Sequence, residues 1–101
     1  MTNNPHTTGA TLVTIIAASE LWERLKVDLG RLGARGYTRI DASGYGEHGV
    51  REDTLLVTGN VRVELLVSPD VARAIFAHLA RTYPGRELTA FEHEVHTLVR
   101  A

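Results

Sequence analysis

The chain has 101 residues, the size of one domain, and its formal net charge is −1 at pH 7. Because the charge is not positive and the arginines are scattered among acidic residues, a nucleic-acid-binding surface is not expected. The sequence has no cysteine, which excludes disulfides and thiolate metal sites, and no apolar run approaches membrane-spanning length, so no membrane insertion is expected.

The first segments predict a tail, a strand and a helix. Residues 1–10 are polar, contain Pro5, and predict a flexible tail; they lack a secretion signal, so a cytoplasmic location is expected. The β-branched run Thr11–Ala17 predicts a buried strand. Ser19 is placed to cap the helix that follows, in which leucines recur at helical spacing with Trp22 beside them.

A strand, a glycine-containing loop and a second strand follow. Tyr37–Ser43 and Asn60–Val67 predict strands, the second with the strict alternation of a half-buried strand. Residues 44–59 are longer than most hairpin connections and predict a mobile loop. The backbone amides of Gly44–Glu47 are placed to form an anion cradle, and Arg51 is placed to hold an anion bidentately. A plain hairpin connection explains the same glycines, and both interpretations stay open.

The second half repeats the order of the first. Ser68 and Pro69 predict an N-capped helix start, and the Tyr83–Gly85 turn predicts the helix end. A last strand is predicted over Leu88–Val99. The order β-α-β, loop, β-α-β predicts an α+β protein, residues 11–101, with the ferredoxin-like βαββαβ fold: an antiparallel sheet with both helices on one face.

Other polar residues give weaker indications of function. His93 and His96 invite a metal interpretation, but their odd separation on a strand places them on opposite faces, so no metal site is predicted. No serine is paired with a histidine as nucleophile and base, so no catalytic residue is predicted. Arg62 and Glu64 fit a solvent-facing charge pattern as well as a site.

Around the loop, the residues resemble the PII signal-transduction superfamily. The likeness lies in two runs that flank the family's T-loop, GYTRIDASGYG at 36–46 and NVRVELLVSPD at 60–70, and it covers nearly the whole chain from Thr11. Within it, the run GYGEHGVR at 44–51 is most similar to PII-like proteins associated with bicarbonate transporters and carboxysomes.

This resemblance implies a non-enzymatic homotrimer that binds adenine nucleotide in inter-subunit clefts and signals through its T-loop. The partner it implies is a bicarbonate transporter or a carboxysome component, which would make the location carboxysome-associated. The nucleotide-binding residues it implies are Gly36, Thr38, Gly44, Gly46, Glu47, Glu64, Gly85 and Arg86. Arg51 and His48 are the candidates for an anion contact, with nucleotide phosphate or bicarbonate as the ligand.

Departures from the family pattern narrow the expected ligand. His48 stands where nitrogen-sensing members have the glutamine used for magnesium and 2-oxoglutarate, so that ligand is not expected. The second phosphate loop is reduced to PGRE at 84–87, and Arg100 alone stands for the paired arginines of the family's C-terminal segment. With fewer cations to neutralise a triphosphate, ADP or AMP is favoured over ATP.

Two other classes of protein stay open. Five histidines in a short chain are compatible with a divalent-metal-binding ferredoxin-like trimer or a small enzyme, similar to the divalent-cation-tolerance proteins. A pure interaction module, with the loop as a docking arm, is the third hypothesis.

Overall fold

A computed structural model of the chain describes residues 4–42, 45–46, 49–50, 59–83 and 88–99. These residues form two α-helices and six strands. A 3₁₀ turn at Ser19–Leu21 connects the first strand to the first helix. The elements are β1 (Thr7–Ala18), α1 (Trp22–Arg31), β2 (Thr38–Ala42), β3 (Tyr45–Gly46), β4 (Gly49–Val50), β5 (Asn60–Val67), α2 (Pro69–Thr82) and β6 (Leu88–Leu98).

Four of the strands form one antiparallel sheet in the order β2-β5-β1-β6. β1 lies in its interior, with Thr11 opposite Val67 of β5 and Thr7 opposite Leu98 of β6. The short strands β3 and β4 form a separate two-stranded sheet within the predicted loop. The predicted ferredoxin-like fold is confirmed.

Both helices pack on one face of the sheet. Because side chains alternate between the faces of a strand, every second residue of β1 and β5 enters the core, and each buried aliphatic side chain contributes roughly 1.5–3 kcal/mol. The core residues of these two strands and two helices are Val13, Ile15, Ala17, Ala18, Trp22, Leu25, Leu29, Val61, Val63, Leu65, Val67, Ala72, Ile75 and Leu79.

α2 begins as predicted, whereas α1 does not. The Ser68 hydroxyl accepts a hydrogen bond from the Val71 backbone N–H at 3.2 Å, with proline in the first turn of the helix. The prediction that Ser19 caps α1 is wrong: its side chain makes no capping hydrogen bond, and α1 starts at Trp22. Instead, the Ser19 backbone N–H donates to the Gly59 carbonyl at 3.1 Å, which ties the start of α1 to the start of β5.

The first strand begins at Thr7 rather than at Thr11. Residues 7–10 of the predicted tail pair with β6 and extend the β1–β6 ladder beyond the end of β5. Backbone pairing with β6 satisfies their peptide groups whatever their side chains are. The polar composition that predicts a tail is therefore misleading over these four positions.

A hydrogen-bonded cluster joins α1 to the end of α2. Asp28 Oδ2 lies 2.8 Å from His78 Nε2 and accepts a hydrogen bond from the Tyr83 hydroxyl at 3.1 Å. The Arg24 guanidinium lies 5.7 Å from the centre of the Tyr83 ring. Burial alone would raise the pKa of Asp28, but the hydrogen bonds from His78 and Tyr83 and the nearby charges outweigh it, so this pKa is lowered from its ordinary value of 3.8.

We expect Asp28→Asn to lower the free energy of unfolding near neutral pH by about 1–2 kcal/mol, because it removes a charged acceptor shared by two donors. Since the folded pKa lies below the unfolded one, the carboxylate stabilises the fold above about pH 4 and loses this effect as the pH falls through the folded pKa. Thermal denaturation at neutral pH and near pH 3 measures both effects, and the difference in Tm from the wild type should shrink in acid.

The control for this prediction is Asp70→Asn. The Asp70 side chain is 91% exposed and pairs with Arg73 at 2.8 Å, a type of contact that contributes little to stability. Equal losses in the two variants, or a difference in Tm that does not change with pH, would contradict the role assigned to Asp28.

A candidate ligand site at the loop base

The strands that flank residues 43–58 leave the sheet side by side. Ala42, the last residue of β2, pairs with Asn60, the first residue of β5. Gly59 comes so close to β2 that a Cβ on it would lie 3.3 Å from the Ala42 carbonyl oxygen. Together with the hydrogen bond from Ser19 to the Gly59 carbonyl, this packing fixes the base of the loop to the edge of the sheet.

Two predicted nucleotide-binding residues meet at this edge. Thr38 of β2 lies directly opposite Glu64 of β5, so the two side chains are on the same face of the sheet. Val63 and Leu65, on either side of Glu64, are buried under the helices, which puts Glu64 on the other face. Gly36, a third predicted residue, is exposed two positions before Thr38.

We call the face away from the helices the outer face. Its residues, assigned by strand register, include Thr8, Ala10, Leu12, Thr14, Ile16, Thr38, Ile40, Arg62, Glu64, Leu66, Thr89, Phe91, His93, Val95 and Thr97.

Most of the residues predicted to contact phosphate or another anion are not among these outer-face residues. Gly46 belongs to β3. Outside the described residues lie Gly44, Glu47, His48, Arg51, Gly85, Arg86 and Arg100. Their assigned roles, and the mobility expected for residues 44–59, stay predictions.

Two neighbouring cross-strand rows define the chemistry of the outer face beside the loop base. In one row Glu64 lies between Thr14 of β1 and Thr38 of β2. In the next, Arg62 lies between Ile16 and Ile40. A carboxylate is thus flanked by hydroxyls and a guanidinium by apolar side chains.

The charged members of these rows form a loose ion pair. Arg62 Nε lies 3.4 Å from Glu64 Oε2, and the two side chains are 39% and 33% exposed. A charge-assisted N–H···O bond is ordinarily about 2.7–2.9 Å long, so the pair is not tightly made. The charge pattern expected to face solvent is therefore half-buried.

Thr14 is the residue that sequence reasoning missed. It is 1% exposed, and its hydroxyl oxygen has no hydrogen-bond partner among the described residues. A buried hydroxyl left without a partner costs roughly 1–3 kcal/mol. The signal in the sequence was a polar residue at the centre of the apolar run Thr11–Ala17.

An aromatic cluster supports β2 from the helix side. The Trp22 side chain is buried, and the Tyr37 ring meets it edge-on with centroids 4.9 Å apart. The Arg39 guanidinium lies 5.5 Å from the centre of the Trp22 ring and bonds Asp41 at 2.8 Å. These contacts fix the segment that carries Gly36 and Thr38 against the start of α1.

Large apolar side chains remain exposed on the outer face. Leu66 is 59% exposed and Ile40 is 49% exposed, and the apolar residues Leu12, Phe91 and Val95 on the same face are partly exposed. Leu66 lies directly opposite Leu12 on this face, and exposed apolar side chains grouped in this way are typical of a surface that contacts another protein.

The histidines of β6 do not converge on a common site. His93 lies opposite Leu12 and His96 lies opposite Gly9, so the prediction that they occupy opposite faces is confirmed. Among the described residues, no three histidine or acidic side chains are grouped closely enough to hold a metal ion. In the same part of the chain, no helix is both long and apolar enough to cross a membrane.

These features define a small ferredoxin-like domain with a polar site at the base of a long connection between two strands. The family model of nitrogen regulatory protein P-II matches residues 10–99, and the chain belongs to this family of regulatory proteins. The resemblance seen in the sequence is confirmed at the level of the family.

Several solved structures share the fold. A putative PII-like signaling protein from Thermus thermophilus is 35% identical, with 92% of each chain covered and a TM-score of 0.77. The PII-like protein CPII from Thiomonas intermedia, bound to ADP, AMP and bicarbonate, is 18% identical over 94% of this chain and 99% of that one, with a TM-score of 0.81. The B. subtilis GlnK–ATP complex is 19% identical over 86% of this chain and 82% of that one, with a TM-score of 0.64. Among curated proteins, no sequence matches the chain.

The close approach at Gly59 can be tested by adding a methyl group. We expect Gly59→Ala to lower the free energy of unfolding by about 1 kcal/mol, because the new Cβ crowds the Ala42 carbonyl oxygen. Gly9→Ala is the matched control, since a Cβ at Gly9 meets nothing within 4 Å. Chemical denaturation measures the stability of both variants. If the Gly59→Ala protein is as stable as the Gly9→Ala protein, residue 59 and β2 can move apart to accommodate the methyl group without loss of stability.

Proposed function

We propose that the chain is a non-enzymatic, PII-like regulatory protein that binds an adenine nucleotide at the base of its long loop. The observation that carries this proposal is the register of β2 against β5, which sets Thr38 opposite Glu64 on the outer face. Two residues implied for the nucleotide site, on separate strands, thereby share one surface beside residues 43–58. A hydroxyl and a carboxylate side by side are suited to the hydroxyls of a ribose.

The class of ligand is supported by the relatives. CPII is bound to ADP, AMP and bicarbonate, and the B. subtilis protein is bound to ATP. For this chain ADP or AMP is the proposed nucleotide, because the segments expected to meet its phosphates carry few cations, chiefly Arg51 and Arg86. Bicarbonate is the proposed second ligand, with Arg51 and His48 as its contacts.

Assembly into a homotrimer through the outer face would complete this site. Leu66 and Ile40 expose about half of their surface or more beside Thr38 and Glu64. Covering them with another copy of the chain removes apolar area from water and gives the nucleotide a second wall. A thin core, which is expected of a chain this short, also favours assembly.

The loop of residues 44–59 is the proposed signalling element. Nucleotide binding at its base would favour one arrangement of the loop over others, and this requires a higher affinity for that arrangement. The run GYGEHGVR favours the type associated with bicarbonate transporters and carboxysomes, so the proposed partner is a cytoplasmic face of such a transporter or a carboxysome component.

Calorimetry and thermal shift with AMP, ADP and ATP, each with and without bicarbonate, test the proposed ligands. At about 100 times its Kd a ligand adds roughly 2.7 kcal/mol to stability, which appears as a clear rise in Tm.

We expect Glu64→Gln and Thr38→Val each to weaken ADP binding by about tenfold, which corresponds to roughly 1.4 kcal/mol. Arg51→Ala should weaken ADP or bicarbonate binding and leave assembly unchanged.

Glu23→Gln is the control for Glu64→Gln, because the Glu23 side chain is 82% exposed on α1, away from the outer face. No response of the wild type to any nucleotide would overturn the proposed function. A nucleotide-insensitive protein that still captured a partner would be an interaction module, and a purified protein with bound divalent metal would favour the metal-binding alternative.

Sedimentation velocity tests the proposed assembly. We expect Leu66→Glu to shift the protein from trimer to monomer, because it places a charge in the apolar contact between copies. Val27→Glu is the matched control: Val27 is 48% exposed on α1 and should accept the charge without a change in mass. A wild-type monomer, or a Leu66→Glu trimer, would exclude the outer face as the interface.

A further inference from the structure

The unpartnered hydroxyl of Thr14 lies directly across the sheet from Glu64. Side chains of directly opposed residues have Cβ atoms about 4.5–5.5 Å apart, so a glutamate carboxylate at position 64 is within reach of the Thr14 hydroxyl. Valine has the same shape as threonine and would fill the position without an unmet hydrogen bond. The hydroxyl is therefore expected to have a partner in some state of the protein.

In the structure, the carboxylate that could serve Thr14 is turned toward Arg62. The contact is a single one, from Arg62 Nε to Glu64 Oε2, and at 3.4 Å it is long for opposite charges. Glu64 thus has three neighbours that can donate to it, Arg62, Thr14 and Thr38, and among the described residues it contacts only Arg62, and that loosely.

Arg62 uses only one of its side-chain nitrogens in this contact. Its contact with Glu64 uses Nε, and among the described residues it has no other ion pair. The guanidinium lies between Ile16 and Ile40, and its side chain is 39% exposed, so an anion from solution can reach it. A planar guanidinium with two terminal nitrogens available binds phosphate or carboxylate bidentately.

We propose that Arg62 is an anion-binding residue of the outer face, and that the anion exchanges places with Glu64, whose carboxylate then accepts a hydrogen bond from Thr14. Each group gains a better partner: Arg62 gains a bidentate anion and Thr14 gains an acceptor. The exchange also moves the Glu64 carboxylate away from the incoming negative charge. The inference rests on the proposed function for one source of the anion, a nucleotide phosphate; the other source is a free small anion.

Calorimetry with ADP, adenosine, inorganic phosphate and bicarbonate tests the exchange in the intact chain. We expect Arg62→Gln to weaken ADP binding by about tenfold or more and to leave adenosine binding unchanged, because the anion alone is affected. Arg73→Gln, on the exposed surface of α2, is the control. Tighter binding of ADP than of adenosine identifies the nucleotide as the source, and binding of phosphate or bicarbonate that is lost in Arg62→Gln identifies a free anion.

Thr14→Val separates the exchange from a simple structural role of Thr14. The substitution should raise the Tm of the unliganded protein, because it removes a buried hydroxyl that has no partner. It should also weaken binding of the anion by about threefold to tenfold, because Glu64 loses the Thr14 hydroxyl as a hydrogen-bond donor. In a Glu64→Gln background the same substitution should have a smaller effect on affinity. Thr8→Val, at an exposed position on the same face, is the matched control.

The outcomes separate the two proposals. If Thr14→Val raises the Tm but leaves ADP, phosphate and bicarbonate affinities unchanged, the exchange is wrong. If Arg62→Gln binds every anion as the wild type does, Arg62 is not the anion site, and nucleotide binding by the wild type keeps the proposed function intact. If the wild type binds phosphate or bicarbonate through Arg62 but no nucleotide, the exchange stands and the proposed function fails.

Discussion

The pairing of β5 between β1 and β2 is the constraint on which the rest of the structure depends. Because side chains alternate along β5, one register sends Val63 into the core and Glu64 to the outer face. A slip of one residue would exchange them, burying a charge and exposing the core, so this register is strongly specified. The same ladder sets Ala42 opposite Asn60 and so fixes where the long connection leaves the sheet.

The helix side of the sheet stabilises the fold, whereas the outer face has the features of a surface that contacts a ligand or another protein. On the helix side, aliphatic side chains fill the core and Asp28 is satisfied by His78 and Tyr83. On the outer face, large apolar groups are exposed, the Arg62–Glu64 pair is loose and a buried hydroxyl has no partner among the described residues. A domain selected only for stability as a single copy would not keep these features together, and such local conflicts are typical of functional surfaces.

Local patterns predicted the elements that local chemistry decides. The alternation of β5 and the capped start of α2 at Ser68 are encoded within a few residues, and the order of the elements followed from them. Tertiary contacts decide the features that the sequence did not predict. Pairing with β6 extends β1 back to Thr7, and the Ser19 backbone N–H donates to the Gly59 carbonyl. The juxtaposition of Thr14 with Glu64 depends on pairing between strands far apart in the chain, and a single sequence carries no direct signal of that register.

We propose that the outer face, at the edge where β2 meets β5, forms one wall of a nucleotide site that another copy of the chain completes. A crystal structure of the protein grown with ADP tests it most directly. We expect ADP between two copies, with Thr38 and Glu64 of one copy beside the nucleotide and the outer faces turned toward each other. Nucleotide bound on the helix side of the sheet, or copies that meet through their helices, would contradict it.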